Sequence, residues 1–532
     1  MSLKTGRYSA GSVARVAEGW KLERLTKPSR LYGANGIRTG ADGRIYVAQV
    51  SGSQISAIDV NTGDIDIISP MGGDIVGPDD LVFDDSGNMF VTEFTEGRIS
   101  VRETNGTTRV VRGEMPSANP ITMYKGRLLA GECRPGGRIM ELDLHGGEPR
   151  IILDNVPMPN AMEVGPDGKL YAPIMGTNEI WRIDIDTGAY EVVATDLGVP
   201  DSVKFDAQGF IVSTQVGSGD VLRINPQTGE KTCLASIAPG LDNCTFVGDR
   251  LFVSSISGQI NEVLPGGELR SLIADGLQWP LGLAVGDDGV LFVADGGYNY
   301  TLKPGGELNC IGMLFTPGIP GYIRGVTVDS ASEFLVTTAM GQVARWNPAA
   351  QQHEVLADGF DRLYGIAKVD ESTVIVAECG AGRVLAIKSG ETQVLATGLN
   401  EPMGVALTRD GTCLVSEEGA GRVVKITASG AETLVGELQQ PQGIVVCGET
   451  LYIVDAGAKE LVAVDLRTGS RSVLAADLPV GPPAGVVPKP LRAVPPLSGP
   501  MGLFAGIAAA SDGTLYISGD AEGSVLALTP QH

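Results

Sequence analysis

The sequence contains few of the residues that most often serve as metal ligands and general bases, with three histidines among 532 residues. Aromatic residues make up 5% of the chain, and its seven cysteines show no CxxC spacing. There is no GxSxG motif, no phosphate-binding glycine loop and no dinucleotide fingerprint in a strand–helix setting. These absences argue against a histidine-ligated zinc or iron site, a histidine general base and a dinucleotide cofactor.

Basic residues are also scarce, with 40 Lys and Arg against 63 Asp and Glu, a formal net charge of −23. Nucleic-acid binding normally requires a basic face, so we expect no nucleic-acid partner. No apolar run reaches membrane-spanning length, and no basic start followed by an apolar run marks a signal peptide. The scattered cysteines are typical of reduced, buried thiols. We therefore predict a cytoplasmic protein without a membrane partner.

What the chain does contain is a repeat of about forty residues. The segment GPDDLVFDDSGNMFVTEFTEGRISVRE from Gly77 has the same order of strands and turns as EPMGVALTRDGTCLVSEEGAGRVVKIT from Glu401. Each has a proline, a short apolar strand, a tight turn, a second apolar strand, a glycine turn and further strands. The runs are short, rich in Val, Ile and Leu, and lack helical periodicity. A four-stranded unit of this length is typical of a β-propeller blade.

Twelve such units can be counted. Their first strands begin near Asn35, Asp79, Asn119, Asn160, Asp201, Asp242, Leu281, Arg324, Tyr364, Met403, Gln442 and Ala505. Because propellers usually have about four to eight blades, two rings of six are the economical division. The sequence predicts an all-β chain with a first propeller at 32–277 and a second at 278–532.

The last unit has only three strands, and residues 1–31 precede the first blade. The segment Ser12–Trp20 resembles a fourth strand, so we expect this N-terminal region to complete the last blade, which would remove an exposed edge. Residues 479–500 contain eight prolines, which predicts an extended loop before that blade. Such a loop either crosses the surface or covers one mouth of the second propeller.

The start of the innermost strand differs between the two halves. Since the first residues of these strands face the propeller axis, equivalent positions from six blades converge there. In the first half every one is Asn or Asp: Asn35, Asp79, Asn119, Asn160, Asp201 and Asp242. In the second half the same positions are mostly apolar. The alternative, that Asn and Asp simply favour strand starts by bonding their own backbone, accounts for one or two positions rather than six of six. Carboxylates meeting on an axis repel one another unless a cation compensates them, and such hard oxygen ligands favour Ca²⁺.

A second acidic position recurs at the end of the second strand. It is occupied by Glu93 and Glu132 in the first half, and by Asp295, Glu378, Glu417 and Asp455 in the second. Because it occurs in both halves, we interpret it as structural, bonding the following turn. Glu132 keeps functional interest because Cys133 and Arg134 follow it near an expected rim.

The segments MPNAMEVGPDGKLYAP (Met158–Pro173) and VPDSVKFDAQGFIVST (Val199–Thr214) resemble consecutive blades of the SMP-30/gluconolactonase family. That family consists of six-bladed propellers with an axial divalent cation, commonly calcium, and many members hydrolyse lactones. The resemblance places the metal-binding Asn and Asp at Asn160 and Asp201, and a substrate-contacting Asn at Asn119. Asn35 stands where the family has a metal-binding Glu, and Asp79 or Asp242 could restore the missing charge. Over 278–532 the likeness is only to generic NHL-type propeller repeats.

Three functions remain open on the sequence alone. The first is a metal-dependent hydrolase of a lactone or related small cyclic carbonyl compound, with Asn35, Asn160 and Asp201 holding Ca²⁺. In that hypothesis Asp201, Asp79 and Asp242 are the catalytic candidates, and Asn119, Glu132 and Arg134 contact the substrate. The second is a lyase or isomerase that uses the same cation to stabilise an enolate. The third is a binding scaffold without catalysis.

Overall fold

The computed structural model describes Arg7 and residues 13–531. These residues form forty-nine β-strands and one 3-10 turn, η1, at Glu418–Ala420. The strands are arranged in twelve antiparallel sheets, eleven of four strands and one of five. The predicted all-β propeller class is therefore confirmed. Within the described ranges, no helix has the length and apolar character needed to span a membrane.

The chain builds one blade after another, after a short N-terminal section. Two short strands, β1 (Arg15–Val16) and β2 (Trp20–Arg24), precede all the blades. The next six blades are β3–β6 (Ile37–Thr39, Ile45–Gln49, Gln54–Ile58, Ile65–Ser69), β7–β10 (Pro78–Phe83, Met89–Glu93, Arg98–Arg102, Thr108–Arg112), β11–β14 (Ala118–Tyr124, Arg127–Glu132, Gly137–Leu142, Arg150–Val156), β15–β18 (Glu163–Val164, Leu170–Ile174, Glu179–Ile183, Tyr190–Ala194), β19–β22 (Pro200–Phe205, Ile211–Gln215, Asp220–Ile224, Lys231–Ser236) and β23–β26 (Leu241–Val247, Arg250–Ser255, Ile260–Val263, Leu269–Ile273). The last six are β27–β30 (Pro280–Val285, Leu291–Asp295, Tyr298–Leu302, Leu308–Met313), β31–β34 (Ile323–Ser330, Glu333–Thr338, Val343–Asn347, Gln352–Ala357), β35–β38 (Leu363–Asp370, Thr373–Glu378, Arg383–Lys388, Glu391–Thr397), β39–β42 (Pro402–Leu407, Cys413–Glu417, Arg422–Thr427, Gly430–Val435), β43–β46 (Pro441–Cys447, Thr450–Asp455, Glu460–Asp465, Arg471–Ala476) and β47–β49 (Ile507–Ala509, Leu515–Gly519, Ser524–Pro530).

Each blade is a meander whose tight turns are encoded locally. Between β7 and β8, Asp84 accepts hydrogen bonds from the backbone N–H groups of Ser86 and Asn88, and Gly87 has a φ of 83°. A side chain would be strained at that φ, so the Asp-x-x-Gly sequence fixes the turn. The apolar faces of neighbouring blades then pack together, as where Phe90 and Ile99 meet Ile121 and Leu128. The core therefore lies between the blades rather than on the axis.

The chain divides into two compact units. Unit 1 contains Arg30–Asp275, Arg7 and Gly485–Pro496, and unit 2 contains the other described residues. In unit 1 the innermost strands β3, β7, β11, β15, β19 and β23 contact one another in that order, and β23 contacts β3. In unit 2 the corresponding cycle is β27, β31, β35, β39, β43 and β47, with β47 in contact with β27. Each unit is thus a closed ring of six innermost strands.

In both units, some second strands carry a hydroxyl that bonds the innermost strand of the next blade. Thr214 donates to the carbonyl oxygen of Asp242 at 2.6 Å, and Ser416 donates to that of Gln442 at 2.5 Å. Both hydroxyls come from the second strand of their blade, and both acceptors are axial positions. The backbone around the axis is therefore held in the same way in the two units, whatever side chains face inwards.

The last blade is completed from the N-terminal region, as expected, but by different residues. Strand β2 pairs with β49, with Leu22 opposite Leu528, so the bounds Ser12–Trp20 were wrong for the closing strand. Strand β1 instead pairs with β46 and forms the fifth strand of the preceding blade. The alternation of Trp20 and Leu22 with Lys21 and Glu23 provides the two-sided pattern that a blade edge requires, and Trp20 and Leu22 pack on the core. Ser12 itself is outside the described residues.

The proline-rich segment between β46 and β47 has no regular strand. Its central part, Gly485–Pro496, is grouped with unit 1, where Arg492 lies 3.4 Å from the carboxylate of Glu96. The following residues belong to unit 2, where a Cβ added at Gly499 would overlap the carbonyl oxygen of Ala339. The loop predicted from the prolines therefore belongs first to unit 1 and then to unit 2.

Candidate functional site

Six side chains converge on the axis of unit 1 from the starts of its innermost strands. We call them the axial ring: Asn35, Asp79, Asn119, Asn160, Asp201 and Asp242. They form three hydrogen-bonded pairs in which an Asn Nδ2 donates to an Asp Oδ2. The paired atoms are 3.2 Å apart for Asn35 and Asp242, 3.0 Å for Asn119 and Asp79, and 3.0 Å for Asn160 and Asp201. The structure thus brings together all six residues.

The carboxylates of the axial ring resist ionisation. Burial, together with the charge of Asp80, raises the pKa of Asp79 to about 8. Burial and the charge of Asp79 raise the pKa of Asp201 well above its usual range, and burial with Asp201 and Asp79 does the same for Asp242. Three carboxylates in one dry space cannot all be charged without a counter-charge. The charge of the three carboxylates therefore depends on whether a cation lies on the axis.

The donor set can be tested against a divalent cation. Carboxylate and amide oxygens are the ligands that Ca²⁺ prefers, which fits a mixed Asn and Asp ring. The three Asp–Asn bonds use amide nitrogens, and Asn160 Oδ1 accepts from the backbone N–H of Ala161, so cation binding would require these amides to turn. In the part of the chain described, no three His, Cys, Asp or Glu side chains are placed to hold a metal. The fit therefore rests on the amide oxygens as well as on the carboxylates.

A second charged layer, which the sequence analysis missed, lies three residues further along the same strands. We call it the inner ring: Arg38, Val82, Thr122, Glu163, Lys204 and Thr245. Glu163 accepts from Arg38 Nη1 at 2.6 Å and from Thr122 at 3.0 Å, and Lys204 Nζ lies 3.3 Å away. Burial works to raise the pKa of Glu163, but the charges of Lys204 and Arg38 outweigh it and hold that pKa at about 2.

Asp80 completes this layer. Its carboxylate lies 3.9 Å from Arg38, and Oδ2 is buried without a hydrogen-bond partner among the described residues. Burial raises the pKa of Asp80 against the opposing charges of Arg38 and Lys204. The signal for the inner ring was present in the sequence as a position three residues after each axial residue. Its members differ in chemical type, so no uniform pattern marked it.

Two sulfur-containing side chains border the axial ring. Met175 Sδ lies 3.2 Å from Asn160 Nδ2, and Cys133 Sγ lies 3.8 Å from that sulfur. Burial and the charges of Asp201, Asp79 and Asp242 raise the pKa of Cys133 well above its usual range. Cys133 is therefore a neutral, buried thiol beside the carboxylates rather than an exposed nucleophile.

Glu132 and Arg134 are held together next to Cys133. The Glu132 side chain is fully buried, with Oε2 2.9 Å from Arg134 Nη2 and Oε1 paired with Arg138. Glu93 is paired with Arg98 in the same way and also accepts from the backbone N–H of Val76. This recurrence supports a structural role for the acid. Arg134 is about one-third exposed, so it is the member of the pair that can reach a ligand.

A family model matches part of unit 1. Residues 122–257 match the SMP-30/Gluconolactonase/LRE-like region. The match includes Asn160, Asp201 and Asp242 but begins after the other three residues of the axial ring. A search of curated proteins finds no match to the chain.

Solved structures provide further comparisons. Virginiamycin B lyase from Staphylococcus aureus is 19% identical, with a TM-score of 0.39, covering 52% of this chain and 96% of that one. A gluconolactonase from Xanthomonas campestris is 17% identical, with a TM-score of 0.38, covering 46% of this chain and 92% of that one. The family match over residues 122–257 confirms, for that segment, the resemblance inferred from the sequence.

Proposed function

We propose that unit 1 hydrolyses a lactone or a related small cyclic carbonyl compound, with Ca²⁺ held on its axis. The observation that carries the proposal is the axial ring, where three buried carboxylates and three amides lie in three hydrogen-bonded pairs around one axis. Its second support is the family match over residues 122–257, which contain half of that ring.

In this proposal the residues of the axial ring have separate roles. Asn35, Asn160 and Asp201 supply oxygen atoms for the cation, with Asp242 adding charge. A bound divalent cation would act as a Lewis acid on the carbonyl oxygen of the substrate. Asp79 lies across the ring, bonded to Asn119, and a cation on the axis would favour its ionised form. Asp79 is therefore suited to accept a proton from water and to return it to the leaving oxygen.

The borders of the site position the substrate. Asn119 offers an amide beside Asp79, and Arg134 offers a partly exposed guanidinium held by Glu132. In this arrangement Glu132 is a positioning residue that acts through Arg134. Cys133 and Met175 provide a compact apolar border that suits the hydrocarbon part of a small ring.

The test is a panel of five- and six-membered lactones with the full chain, following acid release at constant pH. We expect ring opening that EDTA abolishes and added Ca²⁺ restores. Isomerised or eliminated products instead of hydroxy acids would assign the site to enolate chemistry. No turnover of any lactone, with a calcium-independent thermal transition, would leave unit 1 as a binding scaffold and contradict the proposal.

A further inference from the structure

The side chain of Asn160, in the axial ring, is held in one orientation by three neighbours. Its Oδ1 accepts a hydrogen bond from the backbone N–H of Ala161 at 2.8 Å, and its Nδ2 lies 3.0 Å from Asp201 Oδ2. Nδ2 also donates to the thioether sulfur of Met175 at 3.2 Å. Because a backbone N–H only donates and a thioether sulfur only accepts, these contacts fix which end of the amide meets each neighbour.

The residue that follows the second strand has the same place in every blade of unit 1. Its six occupants are Val50, Phe94, Cys133, Met175, Val216 and Ile256. Four of these are hydrocarbon side chains that cannot accept a hydrogen bond, whereas a thioether is a weak acceptor. Asn35, which is next to Val50, donates to Asp242 alone among the described side chains. Met175 therefore gives Asn160 a second acceptor that Asn35 does not have.

Met175 is itself fixed in place. Its backbone N–H donates to the carbonyl oxygen of Met158 at 3.0 Å, and the thiol of Cys133 donates to its sulfur across 3.8 Å. The side chains are buried, since Met175 is 7% and Cys133 3% exposed. The sulfur therefore cannot swing into solvent, and it stays where the amide nitrogen of Asn160 meets it.

A cation on the axis needs the oxygen of Asn160 rather than its nitrogen. Ca²⁺ binds the amide oxygen of an asparagine, and here that oxygen is bonded to the backbone of Ala161. Turning the amide towards a cation breaks the hydrogen bond between Nδ2 and Met175. The bond to Met175 is thus made in the cation-free state and lost on binding, so it opposes binding.

We propose that Met175 is a positioning residue that holds Asn160 in its cation-free orientation and thereby weakens Ca²⁺ binding to unit 1. The inference rests on the proposed function, because it requires Ca²⁺ at the axial ring. Met175 acts through Asn160 and needs no contact with the cation. Its effect is to keep the affinity below what the oxygen donors alone would give, so that occupancy of the axis depends on the Ca²⁺ concentration.

The experiment measures Ca²⁺ binding to the full chain by titration calorimetry, after treatment with EDTA and without substrate. Met175→Leu removes the acceptor with little change in volume, a swap that buried sites usually tolerate. Because the cation-free state loses a hydrogen bond, we expect the dissociation constant for Ca²⁺ to fall about threefold to tenfold. Met140→Leu changes a buried methionine between the blades of the same unit and should leave the constant unchanged.

Met175→Ile is the second variant, in case Met175→Leu does not fold. Ile256 is the natural residue at this position of the sixth blade, and Met175→Ile should also tighten Ca²⁺ binding. A residue with a merely structural role would weaken binding when replaced. Unchanged or weaker binding in both variants, with Ca²⁺ bound by the unaltered protein, would overturn the role of Met175 alone. Absence of Ca²⁺ binding by the unaltered protein would overturn the proposed function together with this inference.

Discussion

The two rings of this protein share one backbone plan and differ at their centres. In unit 1 the axis carries the three Asp–Asn pairs of the axial ring and, beneath them, the ions of the inner ring. In unit 2 every axial residue is followed by a glycine: Gly282, Gly325, Gly365, Gly404, Gly443 and Gly506. A Cβ at any of the six would overlap the carbonyl oxygen of the axial residue in the next blade or come within 2.6 Å of it.

This difference shows which residues make the fold and which are free for chemistry. The turns, the apolar faces between blades and the hydroxyl bridges occur in both units. They leave the axis unspecified, so one ring closes its axis with backbone contacts while the other fills it with polar side chains. Function is therefore best sought where the two units disagree.

The strongest test of the difference is Asp201→Asn. Because the change removes a carboxylate that only the axis of unit 1 provides as a cation ligand, we expect kcat/KM for a lactone substrate to fall about a thousandfold, or about 4 kcal/mol in barrier height. Met403→Ala, on the axis of unit 2, should change stability but not turnover. Asp196→Asn is the matched control, since Asp196 is exposed. Loss of activity in Met403→Ala with full activity in Asp201→Asn would place the chemistry in the other unit.

The inner ring should matter for stability in unit 1. Glu163→Gln removes the carboxylate that Arg38 and Lys204 both contact and leaves only the more distant Asp80, so we expect the free energy of unfolding to drop by about 3 kcal/mol. Glu191→Gln, which breaks the exposed pair with Arg182, should change it by less than about 0.5 kcal/mol. Urea unfolding measures both. Equal effects of the two substitutions would show that the inner ring is not a stabilising network.

The six glycines of unit 2 should matter for stability because larger side chains would overpack its axis. Gly404→Ala places a Cβ against the carbonyl oxygen of Gln442, and we expect a loss of about 2 kcal/mol from overpacking. Unit 1 has Ala161 and Ser202 at the equivalent position and needs no such glycine there. Gly436→Ala is the control, because no atom lies within 4 Å of the added Cβ. If Gly404→Ala is as stable as Gly436→Ala in calorimetry, the axis of unit 2 is not closed by backbone contacts.

A pH dependence of the stability of unit 1 is expected from Asp79. Folded Asp79 keeps its proton up to about pH 8, whereas the unfolded chain releases it near pH 4, so the folded state binds more protons between these values. In EDTA, the stability of unit 1 should therefore decrease as the pH rises from 5 to 8, with up to about 1 kcal/mol per pH unit from Asp79. The low pKa of Glu163 acts in the other direction, but only below about pH 4.5.

Asp79→Asn should make this slope shallower, while Asp196→Asn should not. Saturating Ca²⁺ should also flatten the slope, since a cation favours the ionised carboxylates. Thermal melts of unit 1 between pH 5 and pH 8 measure all of these. A slope that Asp79→Asn leaves unchanged would show that Asp79 is already ionised in the folded protein.

The sequence predicted most of the fold because a propeller blade is a local structure. Proline, turn and strand recur at a fixed spacing, and that spacing is sufficient to align the axial ring from Asn35 to Asp242. The closing strand was harder, because Ser12–Trp20 resembles other fourth strands locally and only its distant partner decides the register. In the structure Leu22 lies opposite Leu528, a pairing that no local pattern contains.

The sequence predicted the axial ring of the site but not the inner ring. Six residues of one chemical kind are conspicuous, whereas Arg38, Glu163 and Lys204 are three kinds of residue that make sense only once they face each other. Arg324 shows the same limit, because a single arginine among apolar axial residues has no pattern. Its burial, with Nη1 bonded to the carbonyl oxygen of Leu363 and the guanidinium against the Tyr364 ring, is a tertiary fact.

The pairing of β2 with β49 also governs the order in which the molecule is made. Arg24 and Glu522, which join these strands, are 498 residues apart in the chain. At a synthesis rate of about 5–20 residues per second, β2 waits roughly 25 to 100 seconds for its partner. All of Arg30–Asp275 emerges during that interval, so unit 1 has time to close its ring on the ribosome. The last blade of unit 2, although it includes β2, is therefore the last blade to be completed.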